Sequence, residues 1–186
     1  MMVRALILLL ITGCAGVAPI AIDDPRLSFE SRRTLAGAQD AVAVTRADLE
    51  TAQTEVIRAK DWRSKFSTSL AWGPDGAAAA TARAELADAM VQVAALQLAT
   101  MQKRLVLENA KRDLVVARLA IRHEVAIYNL ESLRERVDAT RAESGQAQTK
   151  LAGYNDTLRQ KEAAWWTAYT AYLKAGGDKR VLWTRP

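Results

Sequence analysis

The sequence predicts an all-α, elongated fold: an antiparallel coiled-coil helical hairpin with a long central helix and a third, C-terminal helix. Three observations carry this. Hydrophobic residues make up 50% of the 186-residue chain but aromatics only 6%, and its long stretches of Ala, Glu, Lys, Leu and Arg have the composition of extended helices. Apolar residues return at seven-residue intervals over much of the length, the spacing of a coiled-coil seam. One decisive Pro-Gly interruption, Ala71-Trp72-Gly73-Pro74-Asp75-Gly76, separates the first two of these runs.

At the amino terminus, Arg4 precedes the aliphatic run Ala5-Leu6-Ile7-Leu8-Leu9-Leu10, and Ile11-Thr12-Gly13-Cys14 follows. A basic residue, a short apolar stretch and then small residues is the order of a secretory signal. The stretch is too short to span a bilayer permanently, which takes roughly 20 apolar residues, and Pro19, Asp23, Asp24 and Pro25 stop any extension. Ile11-Thr12-Gly13-Cys14 resembles the lipobox of bacterial lipoproteins. The resemblance implies cleavage between Gly13 and Cys14, removing residues 1–13. It also implies a covalent diacylglycerol on the Cys14 sulfur and an acyl chain, such as palmitate, on its new amino group, with no other cofactor. Several chains give effectively permanent attachment, since each buried methylene contributes about 0.8 kcal/mol. Ala15 is not the aspartate that favours inner-membrane retention, so the resemblance implies the periplasmic face of the outer membrane, or the cell membrane in a source that lacks one. It covers only the first fourteen residues and carries no fold or activity to the rest.

Residues 14–27 read as the lipidated cysteine and a tether, with Gly16, Pro19 and Pro25 and no helical period. The helical domain then runs over 28–175. In its first helix Leu35, Val42, Leu49 and Val56 form one column, with Ala38, Thr45, Ala52 and Ala59 beside it. Alternating branched residues with small ones lets a second helix approach closely along the seam. Pro74 disfavours helix at Gly73, and Gly76 permits a reversal, so the hairpin tip falls near 71–76.

The second helix starts at Ala77 and carries two apolar faces. Val91, Leu98, Leu105, Leu119, Ala126 and Leu133 form one column, flanked by Val116, Leu130 and Val137, and Leu86, Val93, Leu107, Leu114, Ile121 and Tyr128 lie opposite. At about 100° per residue both stripes cannot face one partner. Gly145, Gly153 and the turn-like Gly153-Tyr154-Asn155-Asp156 place a break at 142–156, with a third helix folding back to Lys174; one unbroken rod from Ala77 to Lys174 is the alternative. A helix returning from that break reaches only the later part of the second stripe, so self-association or a helical partner is expected to cover Leu86, Val93 and Leu107. Gly176-Gly177-Asp178 ends the last helix, leaving 176–186 as an irregular tail.

Chemistry is sparse. The net charge is +5, and the basic cluster Lys103, Arg104, Lys111, Arg112, Arg118 and Arg122 reads as a solvated face interleaved with acids, although it could meet anionic lipid or cell-wall polymer. An exported protein of this charge is not expected to bind nucleic acid. His123 is the sole histidine and sits on a core column, which leaves no hydrolase triad, and no metal-ligand spacing occurs. The acid pairs Glu131 with Glu135 and Asp156 with Glu162 lie in charge-laced helix rather than a cleft. Cys14, once lipidated, leaves neither a disulfide nor a thiol nucleophile. We therefore expect no enzyme and no small-molecule substrate.

Two aromatic clusters stand out: Trp62, Phe66 and Trp72 around the hairpin tip, and Trp165, Trp166, Tyr169, Tyr172 and Trp183 toward the carboxyl end. They are the candidate partner-binding residues, weighed against a role in closing the ends of the coiled coil. The expected function is a lipid-anchored periplasmic coiled-coil protein, acting as a structural spacer, scaffold or accessory subunit of a cell-envelope complex. The alternatives are a periplasmic holdase-type chaperone and a hairpin adaptor of an envelope transport or efflux assembly, although no β-rich lipoyl-like halves flank the hairpin.

Overall fold

The computed structural model describes residues 20–68, 72 and 76–178. The signal segment with Gly13 and Cys14, part of the tip and Trp183 lie outside these residues. Three helices account for nearly all of the described chain, with no strand among its residues: α1 (Phe29–Thr68), α2 (Ala77–Arg122) and α3 (Leu130–Lys174). At 1.5 Å per residue they are about 60–69 Å long. α2 packs along both neighbours, whereas α1 and α3 barely meet. The fold is thus a row of three antiparallel rods with α2 in the middle.

The two apolar faces of α2 explain this arrangement. Toward α1 lie Val116, Leu119 and Ala120, packed with Leu35 and with Ile20 and Leu27 from the segment before α1. Toward α3 lie Leu107, Ala110 and Leu114, packed with Val137, Leu130 and Leu133. The first-helix seam is as expected: Leu35, Val42, Thr45, Ala52 and Ala59 are buried. Ion pairs trace the register on both sides, Arg104–Asp48 (3.9 Å) and Arg63–Asp88 to α1, Lys103–Glu143 and Lys161–Glu85 (both 2.7 Å) to α3. Each is about half exposed and worth no more than about 1 kcal/mol, so these pairs fix alignment more than stability. Four of the six residues in the basic cluster are tied to acids, through Lys103–Glu143, Arg104–Asp48, Lys111–Glu108 and Arg112–Asp113. Asp113 is itself buried and also meets Arg136 of α3 at 3.3 Å.

The expected break at 142–156 is absent: α3 is continuous from Leu130 to Lys174. Gly145 and Gly153 are exposed and have nothing within 4 Å of where a Cβ would stand, so they sit on the solvent side of the helix and only weaken it. The real reversal is at 123–129. There the Val125 N–H donates to the Ala120 carbonyl at 2.8 Å and the Glu124 N–H to the Ile121 carbonyl at 3.2 Å, the paired bonds of a Schellman ending. Glu124 takes the left-handed position, φ 55°, which glycine usually fills. Asn129 then caps α3, its side chain accepting from the N–H groups of Glu131 (3.0 Å) and Ser132 (3.2 Å). Because α3 turns back this early, it runs the full length of α2. Leu107 and Leu114 are buried and Leu86 and Val93 half-buried, so α3 lies along the whole of the stripe expected to need a further partner and buries its middle.

Relieving the left-handed strain with Glu124→Gly is expected to stabilise the protein by about 1 kcal/mol. Gly145→Ala is expected to stabilise by about 0.5–1 kcal/mol, since it lies in exposed helix interior. Urea unfolding measures both, and a loss of stability with Gly145→Ala would restore the turn near that residue.

Candidate interaction surface at the aromatic end

With α3 antiparallel to α2 over its full length, the two aromatic clusters that are a hundred residues apart in sequence meet at one end of the rod. Trp62 and Phe66, one turn apart on α1, lie 5.4 Å between ring centres. Trp72 meets Tyr172 of α3 edge-on at 5.2 Å. Tyr169 stacks on Trp165 at 5.7 Å, and Trp166 adjoins both. Ala79 of α2 lies beneath Tyr169 and Tyr172, both buried. The structure thus brings seven of the eight expected aromatic residues together; Trp183 lies outside the described residues.

At the centre is a residue that sequence inspection passed over. Arg83, only 4% exposed, places its guanidinium 4.1 Å from the centre of the Phe66 ring and 5.8 Å from that of Trp72. Desolvation lowers its pKa, and the two ring faces supply the compensating cation–π attraction, about 2 kcal/mol when water is excluded. The clue was available as a lone arginine in Ala77-Ala78-Ala79-Ala80-Thr81-Ala82-Arg83. Close packing explains two glycines here. A Cβ on Gly76 would stand 2.7 Å from that of Trp72, and one on Gly177 would collide with the Tyr172 ring. The Tyr172 hydroxyl accepts the Asp178 N–H at 3.1 Å, which ties the chain after α3 to the cluster.

Most of this cluster closes the end of the bundle, with Tyr169 and Tyr172 as its plug. Trp166 differs: it is 40% exposed and offers a large amphipathic ring to the outside. Below it a groove of about 630 Å³ opens across all three helices, lined by Trp62, Met90, Val93 and Leu158 among others.

Elsewhere the candidate chemistry resolves into structure. His123 Nε2 lies 3.0 Å from the Ser31 hydroxyl, which is 2% exposed, so this pair fastens the first turn of α1 to the end of α2 instead of facing a cleft. Glu131 and Glu135 are exposed on one side of α3. Among the described residues no three His, Cys, Asp or Glu side chains gather as metal ligands, and no described helix is long and apolar enough to cross a membrane. No protein-family model matches the chain, and comparison with curated proteins and with solved structures likewise gave no match.

The Tyr169 hydroxyl has no hydrogen-bond partner among the described residues, and burial, with Tyr172 and Asp178 nearby, pushes its pKa above the ordinary 10.0. A raised folded-state pKa gives stability that is fully present below the unfolded value and lost as pH climbs from there through the folded one. Tyr169→Phe is therefore expected to stabilise by about 1 kcal/mol at neutral pH, by removing an unsatisfied hydroxyl. It should also diminish the fall in stability above pH 10, as read from thermal melts across that range.

Proposed function

We propose that the protein is a lipid-anchored periplasmic rod, a spacer, scaffold or accessory subunit of a cell-envelope complex that presents its aromatic end to a protein partner. The observation that best supports this reading is the polarity of the rod relative to its amino terminus. Ile20 packs beside Leu35 and lines a shallow groove with Val42, toward the end away from the aromatics. From Val42 to Phe66 is about 36 Å of helix. The six residues from Cys14 to Ile20 span at most about 22 Å when fully extended, too little to bring the anchor to the aromatic end. A lipid on Cys14 thus holds one end of the rod and leaves Trp166 at the other, clear of the bilayer.

In this reading the mechanism is positioning, with no bond broken. The long paired helices supply stiffness, the covalent lipid supplies location, and the exposed indole with the adjoining groove supplies the contact.

Metabolic labelling with a fatty acid tests the anchor. Wild type is expected to incorporate label and to fractionate with membranes, and Cys14→Ser to do neither; equal labelling of the two would overturn it. A photo-crosslinking residue in place of Trp166 tests the surface. It is expected to yield an adduct that the same residue at Ile57, an exposed apolar position on α1, does not.

A further inference from the structure

We infer that the end of the rod opposite the aromatics is a second membrane contact, seated in the headgroup layer of the bilayer that holds the Cys14 lipid. The inference rests on the anchored reading above, and two observations carry it.

The first is a group of exposed apolar side chains at that end, which includes the two most exposed large ones among the described residues. Ile127 is 97% exposed, Phe29 83%, Ile22 39% and Ile121 38%. Phe29 opens α1 two residues before Ser31, which bonds His123, and Ile121 and Ile127 border a common recess. Within the 123–129 turn the neighbours Val125, Ala126 and Tyr128 pack inward on the core, while Ile127 alone is turned fully out. Leaving Ile127 and Phe29 in water forgoes nearly the whole gain of burying them.

The second is chain length. Ile20 packs between the levels of Leu35 and Val42, which is about 9–20 Å up α1 from Phe29. Six residues of at most about 22 Å reach bring Cys14 little beyond that end of the rod. An upright rod therefore cannot stand clear of its lipid: its base lies within about 13 Å of the glycerol level to which Cys14 is joined. The headgroup region is about 5–8 Å deep on each side, so a tether short of full extension seats the base within it, where apolar side chains enter by about 5–10 Å. Charge at this end is mixed. Asp24 is held down to about 2 by its hydrogen bonds to Arg26, and Arg33 and Arg122 stand among Glu30 and Glu124. Apolar insertion, rather than attraction to anionic lipid, is the driving term, and zwitterionic vesicles should suffice.

The test uses the full lipidated chain reconstituted into phosphatidylcholine vesicles. Lipidation blocks its only cysteine, so Ile127→Cys, Phe29→Cys and, at the aromatic end, Ala164→Cys can each carry one solvatochromic label. All three positions are exposed, so the fold should not be disturbed. Expected are a blue shift at 127 and 29 and quenching by doxyl-labelled lipid several-fold stronger than at 164. Fatty-acid labelling of the same preparations separates the two ideas. Lipid on Cys14 with all three probes in water overturns the second contact and leaves the anchor intact. Equal quenching at 164 shows a rod lying flat and overturns the end-on seat. No lipid on Cys14 overturns both.

Discussion

Everything in this fold follows from a central helix that is apolar on two opposite sides. α2 cannot be satisfied by one neighbour, because Leu119 and Leu107 point in directions that no single helix covers. The cheapest solution in chain length is a helix on each side, both antiparallel, joined by short connections. Stability on this plan comes from a narrow double seam, not a central core, and α1 and α3 have no need to touch. The half-exposed ion pairs that bridge to each side then align rods whose burial is already determined by the pattern on α2.

The distribution of side-chain size along α2 explains why the two ends differ. In its first half the buried positions other than Arg83 are small, Ala79, Ala87, Ala89 and Ala94, while the second half buries Leu107, Leu114, Val116 and Leu119. Alanines fill little space, so the surrounding chain must supply bulk, and it does so with Phe66 of α1, Trp72 of the connection to α2, and Tyr169 and Tyr172 of α3. Packing to the density of a protein interior is reached at this end with rings, and Arg83 fills the remaining gap with its stem and a cation the rings tolerate. Around Ala94, where Trp62 is the one ring at the edge, the helices leave the groove lined by Met90 and Val93.

Two helix endings show what could and could not be read in advance. α3 and α2 finish with the same pair of backbone bonds, Gly177 N–H to the Tyr172 carbonyl and Val125 N–H to the Ala120 carbonyl. In α3 the left-handed residue is Gly176, φ 91°, and the end was legible. In α2 it is Glu124, φ 55°, a residue type that carries no such signal, so nothing at that position marks the reversal in the sequence. Gly145 and Gly153 misled for the opposite reason: a glycine facing solvent in a long helix is tolerated when tertiary packing of the other face outweighs its propensity. The heptad columns of α1 were legible because one face decides burial there.

The position of that one turn has consequences beyond local structure. With the reversal near 145, the second stripe of α2 lacks a cover and the aromatic clusters are separate surfaces. With it at 123–129, α3 lies along the stripe, buries Leu107 and Leu114 and carries Tyr169 and Tyr172 to Trp72. The same shift decides what each end of the rod can offer. At the aromatic end the rings satisfy one another, and Trp166 is left as the exposed remainder. At the other end the turn residues Val125, Ala126 and Tyr128 are used up in closing the core, so Ile127 has no protein surface to join. An apolar residue left out of the core by its neighbours' packing is most stable where the surroundings are not water, and on the proposed anchored reading the nearest such phase is the bilayer that would hold the Cys14 lipid.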